Sequence, residues 1–550
     1  MPIYSRRAQL YRPPRLGKHH GVPDAAFEHK KVSWLELLLD LIFVWMIAQL
    51  SELAMDVALS ATHEAQPEKC AMFSCGELMF HKCHVDHTAN TSIHNTSIIH
   101  GRGRPLLTEV TTELLPFSMT EPQTLFMSLI LYTLHIWRVW LTEVHMHGRL
   151  YDGEDAPGRI LTFITMFGMG GMACAAAYGI GNAYTFATFR GSNAIARCMQ
   201  LFCFVRLLCS HSNLPGLDGK KDGARRGIQF LVLSGSVEIA LVVSSIVLSY
   251  IYYPSPEPGL VCFIVSYVVS VLTTPFLGLL SNLGVCTTQL RSYAATFPEQ
   301  HPEHYAERLG LMMIIVLGEA AAHGLNSAKT ALTFGNGHAG SVQTRYFANS
   351  LALIIIFVQF WLYFDTINED IFDGKHVLEA AVVSFLHLLL LFGFSTLSSA
   401  FGMLDRSFLC ETEHVPLPGA VAWYACIAGS IALGSSAWVR VISVRRSLID
   451  TGKDDATLPF FLFFFVLFVL LLCMPMYGEQ TSFSILLVFA LTSVFLLVFD
   501  IAIGFLMAPT RSVEPAKTTE TKDTEMATDE SKHVLNPARG SVVNTLTPLV

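Results

Sequence analysis

Long apolar runs alternate with short polar connections along this chain, and most of the runs are of one length. A helix needs about 20 apolar residues to cross a hydrocarbon core about 30 Å thick. Twelve runs meet that length, over approximately 34–59, 124–147, 159–182, 192–210, 227–252, 259–284, 307–325, 346–365, 376–401, 419–443, 458–477 and 480–507. The purest is LPFFLFFFVLFVLLLCM at 458–474, which has no charged residue. The least regular is 192–210, which carries Arg197 and Arg206. The pattern predicts an all-α polytopic transmembrane bundle over 34–507. A polar segment precedes it at 1–33, a long loop fills 60–123, and a tail rich in Thr, Lys, Glu, Ser and Pro follows at 508–550. That tail reads as disordered.

Composition agrees with this reading. Of 550 residues, 52% are hydrophobic and 15% charged, where a soluble chain carries about 25% charged residues. Mean hydropathy is +0.46. These values exclude a disordered chain, a nucleic-acid binder and an ordinary cytosolic enzyme. They make membrane lipid the surrounding medium.

The net charge of −8 matters less than where the cations lie. Arg6, Arg7, Arg12, Arg15, Lys18, Lys30 and Lys31 precede the first span. Lys220, Lys221, Arg225 and Arg226 lie between the fourth and fifth, and Arg440, Arg445, Arg446 and Lys453 between the tenth and eleventh. With twelve spans all three clusters share one side, which the positive-inside rule makes cytoplasmic. Both termini are then expected in the cytoplasm. Loop 60–123 falls on the other face and holds the sequons Asn90-Thr91-Ser92 and Asn95-Thr96-Ser97, so Asn90 and Asn95 are candidate glycosylation sites of a lumenal or extracellular loop. The first apolar run follows 33 mostly polar residues and is too long for a signal-peptide core, so it is expected to act as an uncleaved targeting segment. The address is the plasma membrane or an endomembrane.

Polar residues inside the spans are the candidate chemistry. An ionisable side chain at a helix centre costs about 2.5–3.5 kcal/mol on insertion scales, and such residues face a bundle interior or a water-filled cavity. In the first span Glu36 and Asp40 are four apart, on one face. His135, Arg138, Thr142 and His145 form a stripe in the second. The fifth holds Glu238 with Ser234 and Ser245. In the seventh Arg308, Glu319 and His323 roughly align. The eighth ends in Trp361, Tyr363 and Asp365, and the ninth carries Glu379 and His387. Arg138 and Arg308 are the candidate counter-charges. A plainer reading stands beside this one. Glu36, Glu307, Arg308, Asp365 and Glu379 lie near span ends, where charges reach the interface. Glu238, Glu319 and His387 fit structural hydrogen bonds. Small residues spaced by four, Gly171, Ala175 and Gly179 in the third span and Ala428, Ala432 and Ser436 in the tenth, fit close helix packing.

Most of the twelve cysteines lie in apolar spans as small hydrophobes. Loop 60–123 differs, with Cys70, Cys75 and Cys83 among His81, His84, His87, His94 and His100. A disulfide is favoured in an oxidising compartment, with Cys410 of another loop as a further candidate. Zinc is less favoured, because no C-x2-C spacing is present, and unpaired thiols are the third alternative. No metal or cofactor is expected.

Three stretches resemble the low-temperature-requirement A family of polytopic membrane proteins. They are VSWLELLLDLIFV (32–44), ERLGLMMIIVLGE (307–319) and WLYFD (361–365), with Trp137, Trp140, Asp155 and Arg159 similar to the family's junction between second and third helices. The matched polar positions are Glu36, Asp40, Asp155, Arg159, Glu307, Arg308, Glu319 and Asp365. The resemblance implies a membrane bundle and supplies no reaction. The Cys/His loop, the sequons and the extended termini depart from it.

WLTE…YDGED (140–155) and WLYFD…FDGK (361–375) suggest a repeat six spans long, which would give two parallel halves. The expected function is a secondary transporter of a small solute or ion. Glu36, Asp40, Arg138, Glu238, Arg308, Glu319, Asp365 and His387 are the candidate coupling groups, and a proton is the candidate ion. The alternative is a non-transporting sensor or scaffold linked to stress. An enzyme is less expected, since H-E-x-x-H, G-x-S-x-G and P-loop motifs are missing.

Overall fold

The structure is a computed structural model that describes residues 34–65, 121–149, 156–177, 179–180, 183–211, 221–252, 257–282, 302–334, 339–365, 372, 377–411, 417, 419–450, 457–477 and 480–507. Asn90, Asn95, Cys70, Cys75, Cys83, Asp155, segment 1–33 and tail 508–550 lie outside the described residues. So does the side chain of Cys410.

Among the described residues the fold is entirely helical. The helices are α1 (Trp34–Ala65), α2 (Glu121–Arg149), α3 (Ala156–Ala176), α4 (Ala183–His211), α5 (Lys221–Ile251), α6 (Glu257–Asn282), α7 (Pro302–Phe334), α8 (Ala339–Phe364), α9 (Val377–Glu411), α10 (Gly419–Asp450), α11 (Thr457–Cys473) and α12 (Ser482–Met507). A short 3-10 turn, Met474–Tyr477, follows α11. The predicted spans coincide with these helices. Some ends differ: α4 begins at Ala183 rather than near 192, and α9 runs on to Glu411 rather than ending near 401. The apolar reading started late because Arg190 interrupts the run, and Arg190 turns out to be buried.

Among the described residues nine helices are long and apolar enough to cross a membrane, and α6 and α11 each present a shorter apolar stretch. Helix α7, which carries Glu303, Glu307, Arg308 and Glu319, is in neither set. The outer surface is apolar. Phe163 and Phe167 on α3, Val466 and Leu470 on α11, and Leu491 and Val498 on α12 are all exposed. Apolar side chains outside and ionisable ones inside is the arrangement that lipid requires, since hydrocarbon solvates no charge.

Helix packing reveals the repeat. In the first half α1 packs on α2 and α3, α2 on α3, α4 and α6, α3 on α4, and α4 on α5. In the second half α7 packs on α8 and α9, α8 on α9, α10 and α12, α9 on α10, and α10 on α11. Adding six to each helix number turns the first set into the second, although α12 also packs on α9 and α10, whereas among the described residues α6 has at most a slight contact with α3 and α4. Helices α5 and α6 pack closely, whereas among the described residues α11 and α12 share at most a slight contact. Six helices per half is an even number, so the halves run parallel. The seam between them is formed by α1 and α2 of the first half against α7, α9 and α10 of the second.

Small residues set how closely the layers approach. A Cβ on Gly393 of α9 would lie 2.6 Å from the backbone nitrogen of Ala432 on α10. In the first half Gly168 of α3 stands in the same relation to Ser192 and Ala196 of α4. Backbones this close gain dispersion contacts that lipid tails cannot supply.

Candidate functional site

Three helices at the seam each present two polar groups one turn apart, and the six converge at the end of the bundle where α1 begins. Helix α1 offers Glu36 and Asp40, α2 offers Glu143 and His147, and α7 offers His304 and Arg308. All six are buried. The Arg308 guanidinium spans both α1 carboxylates, with Nη1 3.2 Å from Glu36 Oε2 and Nη2 2.7 Å from Asp40 Oδ1. Trp140 Nε1 donates to the same Asp40 oxygen at 3.0 Å, and Phe43 stacks on the Trp140 ring with centroids 5.2 Å apart. Aromatic walls thus exclude water, and charge pairs are weakly screened there. Glu36 also faces two imidazoles, His304 Nε2 at 3.6 Å and His147 Nδ1 at 3.8 Å. His147 Nε2 in turn lies 3.3 Å from Glu143 Oε2.

From Glu143 the network crosses to α4. Gln200 Nε2 donates to Glu143 Oε1 at 3.3 Å and to the Val139 carbonyl at 2.9 Å. Arg197 Nη1 donates to Gln200 Oε1 at 3.0 Å and to Thr142 Oγ1 at 2.9 Å. Arg197 Nε lies 3.0 Å from Glu238 Oε1 on α5. One continuous chain of buried polar groups therefore links α7, α1, α2, α4 and α5.

Among the described residues the network holds both carboxylates and arginines. Glu36, Asp40, Glu143 and Glu238 are four carboxylates, while Arg197 and Arg308 are two fixed cations. Arg138 is a third cation nearby, half-buried, with its guanidinium on Ser270 of α6. An uncompensated charge in a low-dielectric interior is costly, which is why these groups face one another: His147 and His304 meet Glu36, and His147 also meets Glu143.

The predicted site residues thus divide. Glu36, Asp40, Glu238 and Arg308 lie in the network, and Arg138 lies beside it. Glu319 lies apart from Arg308 and pairs with His323 of its own helix at 3.1 Å, partly exposed. Eleven residues of helix separate it from Arg308, and Arg308 is committed to α1. Asp365 is exposed at the end of α8, where its Oδ2 accepts Trp361 Nε1 at 2.8 Å and its carbonyl accepts Arg440 Nη1 at 3.0 Å. Arg440 also pairs with Asp500 of α12. His387 is buried on α9, its Nε2 2.9 Å from the Tyr363 hydroxyl and its Nδ1 2.6 Å from the Val383 carbonyl. Glu307 and Arg159 are exposed. Among the described residues no group of His, Cys, Asp and Glu has the arrangement of a metal site.

The sequence pattern for bacterial low temperature requirement A protein (LtrA) matches residues 107–508. The chain belongs to the LtrA family. The match takes in the ERLGLMMIIVLGE and WLYFD stretches and helices α2 to α12, while α1, with Glu36 and Asp40, precedes it. The LtrA-matched part therefore supplies Glu143, His147, Arg197, Glu238, His304 and Arg308, and α1 completes the site. No curated protein and no solved structure matches the chain. The chain is accordingly an integral membrane protein of the LtrA family.

Glu143, His147, Arg197, Gln200 and His304 were not singled out as site residues from sequence, although signals were present. Glu143–His147 and His304–Arg308 repeat the four-residue spacing of Glu36–Asp40. On α4, Arg190, Asn193, Arg197 and Gln200 follow one another by three, four and three residues, which puts them on one helix face.

Proposed function

We propose that this LtrA-family protein is a secondary transporter of a small solute or ion, coupled to protons held on the buried network. The observation that carries the reading is the buried cluster at the seam between the two halves, where Arg308 is shared between Glu36 and Asp40 and the imidazoles of His147 and His304 face Glu36. Transporters built from parallel repeats bind substrate and coupling ion at the repeat interface and work by rocking one half on the other. Here Arg308 of the second half holds Glu36 and Asp40 of the first. Protonating either carboxylate weakens that hold, so proton binding and the closure of the halves are linked. Glu319, set between Gly318 and Ala320 and paired to His323, is a further proton-carrying candidate.

A second reading, a sensor or scaffold that does not transport, is favoured by the depth of burial: Glu36, Asp40, Glu143 and Arg308 are 0–3% exposed. A permanently closed ion lock has no route for a solute. The full-length protein in proteoliposomes carrying an imposed pH gradient separates the two readings. Transport predicts that at least one small solute, screened by chemical class, collapses the gradient faster than in protein-free vesicles. It also predicts that Glu319→Gln slows that collapse. An unchanged rate in Glu319→Gln removes Glu319 from the coupling. A gradient that no solute touches favours the sensor or scaffold.

A further inference from the structure

Toward the opposite end of the first half, a buried cation lacks a counter-charge. Arg190 of α4 is 2% exposed. Its Nη1 donates to the Ser245 carbonyl and the Ser249 hydroxyl, both at 2.7 Å, with the Ser245 hydroxyl at 3.4 Å. Its Nε reaches the Phe186 carbonyl at 3.4 Å, and the guanidinium carbon lies 4.0 Å from the centre of the Phe186 ring. Every one of these partners is neutral. Among the described residues no Asp or Glu pairs with Arg190, whereas Arg197, two turns along the same face, has Glu238.

Helix dipoles do not supply the missing charge. The last two turns of α5 and the first turn of α6 meet at Arg190. A Cβ added to Gly259 of α6 would lie 2.5 Å from the Ser245 carbonyl and 3.0 Å from Arg190 Nη1. The end of α5 presents about half a negative charge and the start of α6 about half a positive one, so the two cancel. Two fully buried polar atoms nearby also lack a hydrogen-bond partner, the Tyr132 hydroxyl and Asn193 Oδ1. The Tyr132 ring stacks on Phe189, with centroids 3.9 Å apart. Phe189 precedes Arg190, and Asn193 lies one turn after it on the same face. A buried guanidinium charge needs compensation; the Phe186 and Ser245 carbonyls only accept from it, while the Ser249 and Tyr132 hydroxyls each keep a proton to donate, which suits an anion.

We propose that Arg190, with the hydroxyls of Ser249 and Tyr132, forms a binding site for a small anion between α2, α4, α5 and α6. The anion takes the place that Glu238 occupies for Arg197. Gly259 keeps the first turn of α6 close against Ser245, Ser249 and Arg190, so a bulky anion does not fit there. The site goes beyond the proton-network reading and does not depend on it, because its readout needs neither a gradient nor transport.

The test is thermal unfolding of the full-length protein in lipid-free detergent. Gluconate, too bulky to enter, is replaced stepwise at constant ionic strength by chloride, nitrate, acetate or phosphate. At least one of these anions is expected to raise Tm of the wild type saturably. Arg190→Gln is expected to abolish the dependence, and Ser249→Ala and Tyr132→Phe each to weaken the half-saturating concentration about tenfold, the loss expected for one hydrogen bond to a charged group. Should Arg190→Gln fail to fold, the two hydroxyl variants carry the test. Equal anion dependence in wild type and both hydroxyl variants overturns the site. So does the absence of any anion effect on the wild type, or stabilisation by added phosphatidylglycerol with none from the soluble anions.

Discussion

Replacing Arg308 by Met is expected to destabilise the protein by about 3–5 kcal/mol, the cost of breaking a buried ion pair from one side. The side chain is fully buried and is shared between Glu36 at 3.2 Å and Asp40 at 2.7 Å. Its loss leaves two carboxylates one turn apart, facing each other in an interior walled by Phe43 and Trp140. That amount is a large part of the about 5–15 kcal/mol that holds a typical domain folded. Two further variants separate charge from packing. Arg308→Lys keeps the charge but cannot hold both carboxylates in the same fork geometry, and it is expected to recover only part of the loss. Glu36→Gln with Asp40→Asn in the Arg308→Met background removes the stranded charges and is expected to recover more. The measurement is thermal unfolding of each detergent-solubilised variant against wild type. A triple variant no more stable than Arg308→Met alone would show that shape rather than charge sets the cost.

A loss of similar size, about 3–5 kcal/mol, is expected for Arg197→Met, since it strands Glu238 on α5. Here the second partner is simpler, because Glu238 is one carboxylate rather than two. Glu238→Gln alone leaves Arg197 with Gln200 at 3.0 Å and Thr142 at 2.9 Å, so it is expected to cost less than Arg197→Met. The double variant is expected to be more stable than Arg197→Met alone. A double-mutant cycle over the pair reports the coupling, expected within about 0.5–3 kcal/mol for residues in one network. A coupling of zero would mean that the 3.0 Å approach of Arg197 Nε to Glu238 contributes nothing. In that event Gln200 and Thr142 would be what holds α4 in place.

Much of the fold was legible in the sequence because lipid imposes one simple demand, a run of apolar residues as long as the membrane is thick. That demand made eleven helices easy to place, and it misplaced the start of α4 because Arg190 looked like an end. In the structure Arg190 lies on the interior face of a helix that continues through it. The repeat was legible only faintly, in WLTE against WLYFD, and became firm through the pairing of helices, which no single sequence window encodes. The site was half legible. Glu36 and Asp40 stand out because a carboxylate in an apolar run is conspicuous and their spacing fixes their face. Glu143 and His147 do not stand out, because α2 is polar along much of its length and its stripes can be drawn in more than one way. His304 lay before the apolar run that defined the seventh span. Which carboxylate meets which arginine was out of reach, since Arg308 and Glu36 are 272 positions apart. Helical alignment within α7 suggested Glu319 for Arg308, yet the seam between the halves puts α1 there instead.

The central claim is that the seam network carries an exchangeable proton rather than a fixed lock. Glu143→Gln tests it most directly. The substitution preserves the shape of the side chain and an acceptor for Gln200, but it removes the carboxylate that joins His147 to α4. In proteoliposomes with an imposed pH gradient, the proton-network account predicts that Glu143→Gln loses solute-dependent collapse of the gradient while its Tm stays close to that of wild type. A variant that is equally stable and collapses the gradient at the wild-type rate would contradict it.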